Sequence, residues 1–211
     1  MKEERRRRAV SPHEYYRKLG VIAEDGMVES RRYVAELTEA LDEMGEPLEP
    51  GIGQLVEVGC GISPYVEWVK KLGYDYIGTD LDSWALQILW HKYGVRTFKA
   101  DLNASSDVNA WPVDLPDPEK SVILACHVFE HLDDSPGVID RMSFMLEPGG
   151  RLIGIVPMGI DDLWNPDHKW FYTEETLKLV LESNDRYEDV KTVVKQRIER
   201  ERFIYFSARR K

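Results

Sequence analysis

The chain has 211 residues, of which 43% are hydrophobic and 31% charged, with a formal net charge of −10. This is the composition of a globule large enough to bury a core without metal or disulfide staples; no stretch reaches the roughly 18 apolar residues of a membrane span, and the acidic balance argues against non-specific nucleic-acid binding. The two cysteines, Cys60 and Cys126, show neither a CxxC pair nor a His/Cys metal spacing, which argues against a structural zinc and suits a reducing, cytoplasmic setting.

The basic N-terminus, MKEERRRRAV, has no apolar run behind it and does not read as a secretory signal. Arg5, Arg6, Arg7 and Arg8 read as a solvated end, with a phosphate-contacting arm as the competing use. Ser11, Pro12 and Glu14 mark a helix start by their capping-box spacing. A second helix is expected from Met27 to Met44, with Val34, Leu37, Leu41 and Met44 at helical spacing and Gly45 in the C-terminal capping position. The breaker-rich run from Glu46 to Gly51 then separates residues 1–50, a helical lid or appendage carrying Tyr15, Tyr16 and Tyr33, from a main domain over residues 51–211.

Strands and helices alternate from there. Strands are expected at Gln54–Val58, Tyr74–Thr79, Arg96–Ala100, Ser121–Cys126 and Arg151–Val156, and helices at Tyr65–Leu72, Ser83–Lys92, from Ser135 to the Pro148-Gly149-Gly150 stop, and at Thr173–Glu182. Asn103–Lys120 reads as a surface loop carrying Trp111. Val190–Val194 and Phe203–Ser207 are two late strands with no helix between them. The pattern predicts an α/β fold: a doubly wound, mostly parallel seven-stranded sheet with an antiparallel edge strand and an N-terminal helical appendage.

The first strand runs into Gly59-Cys60-Gly61, and Ser63 and Pro64 are placed to cap and open the next helix. In such sheets ligands bind beyond the carboxyl ends of the strands, at the switch point. A dinucleotide site asks for GxGxxG, but Pro64 stands where the third glycine belongs. A phosphate-free methyl donor asks instead for acids at successive strand ends. Glu57 precedes the glycines, Asp80 ends the second strand where it would hold two ribose hydroxyls, and Asp101 ends the third where it would accept from an adenine amino group.

These blocks resemble those of class I S-adenosylmethionine-dependent methyltransferases, the broad family of quinone-biosynthesis and other small-molecule enzymes. VEVGCGIS resembles the first motif, with Ser63 where glycine is usual; GTDLD resembles the second, KADLN the third, LACHVFEHLDD the block after the fourth strand, and LEPGGRLIGIVP the approach to the fifth. The resemblance covers roughly residues 52–182. It implies a Rossmann-like fold, S-adenosyl-L-methionine as cofactor, and a cofactor site of Glu57, Gly59, Cys60 and Gly61 at the methionine part, Asp80 and Leu81 at ribose and adenine, Asp101 and Leu102 at the adenine edge, and Cys126 and His127 under the methyl region.

His127 and His131 straddle Glu130, a spacing that suits a metal on a helix face, but no third ligand is evident and no metal is expected. Glu130 and His131 read as holding the turn after the fourth strand, near the reaction. His168, in the DHKWF run before the last helix, is the candidate general base, histidine being the side chain that exchanges protons near neutral pH. Trp164, Trp170, Phe171 and Tyr172 would wall an acceptor pocket. The function read is methyl transfer to oxygen, nitrogen or carbon of a small molecule. The alternatives are a methyltransferase acting on RNA or protein, a non-catalytic binding module on this fold, and an NAD-dependent oxidoreductase.

Overall fold

In the computed structural model seven strands form one sheet, β1 (Gly53–Val58), β2 (Tyr74–Asp80), β3 (Arg96–Lys99), β4 (Val122–Cys126), β5 (Arg151–Pro157), β6 (Tyr187–Ile198) and β7 (Glu201–Arg210), in the order β3-β2-β1-β4-β5-β7-β6. The described residues are 30–51, 53–103, 121–159, 165–198 and 201–211. Arg5–Arg8, the Ser11 helix start, Tyr15, Tyr16, Trp111 and Trp164 lie outside them. The helices are α1 (Ser30–Glu43), α2 (Val66–Lys71), α3 (Ser83–Tyr93), α4 (Ser135–Met145) and α5 (Glu174–Glu182).

β1 to β5 pair in parallel, and β7 runs antiparallel to both β5 and β6. Strands are added outward on one side of β1 (β2, β3) and then on its other side from β4, so the strand order reverses between β1 and β4, which is the switch point. β6 and β7 are longer than their apolar segments, because Lys, Arg and Glu continue the ladder at both ends and carry no hydrophobic signal.

Side chains alternate across a strand, and here the alternation sorts the core into two layers. Val56, Val58, Ile123, Ala125, Leu152, Val156, Ile204 and Phe206 face α4 and α5. Leu55, Val122, Leu124, Ile153, Ile155, Phe203 and Tyr205 face α1, α2 and α3. Leu37, Ala40 and Leu41 of α1 are fully buried, so this face of α1 packs into the second layer. Gly45 (φ +69°) ends α1, and the Glu46 N–H donates to Leu41 O at 2.8 Å. Glu46 then meets Lys191 Nζ at 2.7 Å, Arg209 at 3.1 Å and Arg151 at 3.7 Å. Burial pushes its carboxyl up, but these three cations outweigh that and hold it below its ordinary value.

Gly154 of β5 fixes how tightly the sheet centre packs. A Cβ there would lie 2.0 Å from Ala125 O and 2.7 Å from the Phe206 ring, which stacks on Phe129. Gly154→Ala is expected to cost about 3 kcal/mol or more in urea unfolding, at the upper end for overpacking because the nearest atom is backbone; a loss under about 1 kcal/mol would show that the sheet yields there.

Candidate cofactor site

β1 ends in a turn that two glycines make possible. Gly59 (φ +59°) and Gly61 (φ +49°) are in the left-handed region, and a Cβ on Gly59 would lie 2.6 Å from Val128 Cγ2. The Cys60 N–H donates to Thr79 O at 2.9 Å, tying the turn to the end of β2. The Cys60 side chain packs inward against Gly78. Burial pushes its thiol well above the ordinary value, with Glu57 and Asp80 adding to the shift, so it is no thiolate nucleophile.

Asp80 anchors this turn from across the strand gap. Its Oδ2 accepts the Gly61 N–H at 2.7 Å and its Oδ1 accepts the Asp82 N–H at 2.8 Å. Asp82 in turn caps α3, accepting from the N–H groups of Trp84 (2.9 Å) and Ala85 (3.4 Å). Leu81, between the two acids, is 54% exposed, an apolar side chain left open beside the carboxylate. At the end of β3, Asp101 is exposed and accepts the Asn103 N–H at 2.9 Å, while Leu102 is buried. Asn103 Oδ1 accepts the Asp133 N–H at 2.9 Å, joining the β3 end to the segment after β4.

Glu57 sits beneath the turn, 3% exposed. Ser63 Oγ (2.5 Å) and Tyr76 OH (2.7 Å) both donate to its Oε2. Burial pushes its carboxyl up to about 8; the Ser63 and Tyr76 hydrogen bonds pull the other way, and the Asp80 charge adds to the rise. The expectation for Ser63 and Pro64 is corrected. Helix α2 begins only at Val66, with Tyr65 as its cap and no side-chain capping bond. Ser63 Oγ instead serves Glu57 and accepts the Tyr65 N–H at 3.0 Å. A buried carboxyl is the more demanding partner, since leaving it unmet costs more than an uncapped helix.

The turn after β4 closes the same edge. Cys126 is partly buried and His127 holds a left-handed backbone (φ +57°), its N–H donating to Ile155 O at 2.8 Å and its ring lying edge-on to Phe203. A short 3-10 turn, Phe129–His131, follows. The backbone O of Glu130 accepts the N–H groups of Lys169 (2.7 Å) and Trp170 (3.2 Å), and Trp170 Nε1 donates to Leu132 O at 2.9 Å. These bonds bring His168 to His131, with ring centroids 4.5 Å apart. Of the expected acceptor wall, Tyr172 is buried and donates to Ser135 Oγ at 2.6 Å, Trp170 packs on the core, and Phe171 is exposed.

Glycine turn, Asp80, Leu81, Asp101 and His127 thus lie at the carboxyl ends of β1 to β4, and His131 and His168 beyond β4 and β5. The sequence reading missed Tyr76 and Val128. Tyr76 lies on β2 two residues before Gly78, the register partner of Glu57, and the bare glycine leaves room for the phenol to reach the carboxyl. That signal exists only once the register is known. The alternation of apolar residues marks Val128 as core and gives no sign that it abuts Gly59.

A sequence profile of the family described as "Methyltransferase domain" matches residues 27–185. Among solved structures, an S-adenosylmethionine-dependent methyltransferase from Archaeoglobus fulgidus is 18% identical, covering 85% of this chain and 94% of that one with a TM-score of 0.66. One from Mesorhizobium loti is also 18% identical, covering 81% and 95% with a TM-score of 0.59. The magnesium protoporphyrin IX methyltransferase of Synechocystis, with bound S-adenosylhomocysteine, is 15% identical, covering 85% and 83% with a TM-score of 0.60. No curated protein sequence matches the chain.

Proposed function

The chain belongs to the methyltransferase-domain family matched over residues 27–185, and from that premise we propose that it transfers the methyl group of S-adenosyl-L-methionine to a small-molecule acceptor. The observation that carries the choice of cofactor is the Gly61 N–H given to the Asp80 carboxylate at 2.7 Å. A dinucleotide needs the amides of this turn, and a helix N-terminus behind them, for its diphosphate. Here one amide is committed to a carboxylate that repels a second anion, and α2 starts five residues past Gly61. A cofactor with no phosphate fits the same surroundings. The solved Synechocystis enzyme with bound S-adenosylhomocysteine supports this reading by its shared fold.

Each Asp80 oxygen keeps a lone pair beyond its backbone bond and is free to accept a ribose hydroxyl. Asp101 accepts from the adenine amino group, with Leu81 and Leu102 on the base. The turn from Gly59 to Gly61 lets the backbone approach the methionine part, with Cys126 and His127 along its other side. Glu57 supports that turn from below. S-Adenosylmethionine, when bound, supplies an electrophilic methyl group on a sulfonium. The chain's own work is then to hold an acceptor in line, exclude water and receive the acceptor's proton where there is one. His168 and His131, at the same sheet edge, are the groups placed for that proton. The net charge of −10 favours a small acceptor over RNA. Among the described residues no helix is long and apolar enough to cross a membrane. Two cysteines with no CxxC pair suit a reducing, cytoplasmic setting.

Calorimetry with S-adenosylhomocysteine, followed by methyl transfer from labelled S-adenosylmethionine to a small-molecule panel, tests the reading. Saturable binding and label on a small product are expected. No binding at about 1 mM ligand, a threshold of roughly 4 kcal/mol, from a folded protein would overturn the cofactor assignment; label only on RNA or protein would overturn the acceptor class.

A further inference from the structure

We propose that Glu130, His131 and His168 form a binding site for a divalent transition cation of the zinc type. One ligand atom from each side chain lies within 4.8 Å of the other two. The sequence offered His127 and His131 on either side of Glu130 but no third ligand; the bonds between the Glu130 carbonyl and Lys169 and Trp170 bring in His168 by folding the segment after β5 onto the turn after β4.

A second, independent observation points to a ligand. The Glu130 side chain is 0% exposed, and among the described residues neither carboxylate oxygen has a hydrogen-bond partner. A buried carboxylate left so costs several kcal/mol unless a positive charge meets it. His127 Nδ1, 3.4 Å from Oε1, is near but lacks hydrogen-bond geometry. One divalent ion answers the carboxylate and uses both imidazoles as neutral ligands.

The donor set selects the ion. Two imidazoles and one carboxylate suit zinc, manganese or iron, whereas magnesium and calcium want oxygen. Around zinc at ~2.1 Å, tetrahedral ligand atoms stand about 3.4 Å apart, so the cluster closes by roughly 1 Å, within reach of side-chain rotation. Three protein ligands leave a coordination position open. His131 already has an outer contact of the kind that fixes a metal-bound ring, Nδ1 to Asp167 O at 3.3 Å. As ligands, His131 and His168 both give up the role of free base.

Untagged protein is dialysed against buffered zinc, bound metal is counted by atomic absorption, and affinity is read by competition with a chromophoric chelator, all without methyl donor. One zinc per chain with a Kd of about 1 μM or tighter is expected, not displaced by millimolar magnesium. Glu130→Gln, which keeps the shape of the site, and His131→Ala should each weaken binding by about tenfold or more with an unchanged far-UV spectrum, and His91→Ala on α3 should bind as the wild type. Wild-type protein that takes up no zinc, or wild-type affinity retained in Glu130→Gln and in His131→Ala, or loss on His91→Ala, overturns the site. None of these outcomes bears on S-adenosylhomocysteine binding, which is measured apart.

Discussion

Asp80→Ala is expected to weaken S-adenosylhomocysteine binding about 100-fold. The carboxylate would hold two ribose hydroxyls, and a hydrogen bond to a charged acceptor contributes about 1.5–3 kcal/mol. The same side chain fixes the Gly61 and Asp82 amides at 2.7 and 2.8 Å, so its loss also loosens the turn that meets the methionine part. Together these reach about 3 kcal/mol, two factors of ten in Kd. Asp101→Ala, exposed and bonded locally to Asn103, should cost less, about tenfold. Calorimetry on the folded variants checks both. A change under about threefold for Asp80→Ala would remove it from the cofactor site.

Glu57→Gln is expected to abolish much of the pH dependence of stability between about pH 4.5 and 8. The native carboxyl titrates near 8, against an ordinary value of 4.5. Across that window the native state holds a proton that the unfolded chain has released. Stability from this group is therefore fully present below about pH 4.5 and is lost as pH rises through 8, at up to about 1.4 kcal/mol per unit. Over the whole window the loss sums to about 5 kcal/mol. Glutamine never ionises, so the variant should gain on the wild type steadily as pH rises, whatever it loses in the bonds from Ser63 and Tyr76. Urea unfolding at about pH 5, 7 and 8.5 reads the difference. Parallel profiles for the two proteins would mean that Glu57 is already ionised in the native state.

The order of elements was legible from the chain. Buried parallel strands are short apolar runs, and Gly45 carries capping chemistry that acts within a turn of where it is written. The glycines and acids at strand ends were legible for the same reason, since parallel strands put their carboxyl ends on one edge. The length of β6 and β7 was less so, because the charged residues at their ends give no hydrophobic pattern. The start of α2 was misread because Ser63, a good cap by type, finds a buried carboxyl to serve instead.

By itself, then, the sequence determined the alternation of strands and helices, the switch-point turn and the acids around it, all set by local periodicity and turn geometry. Only the tertiary structure decided which side chains meet across distance. Tyr76 reaches Glu57 through the register of β1 and β2 and the missing side chain of Gly78. His168 joins Glu130 and His131 through backbone bonds spanning 39 and 40 residues of sequence. No local pattern records such meetings, because they depend on strand register and loop docking, which the whole core fixes at once.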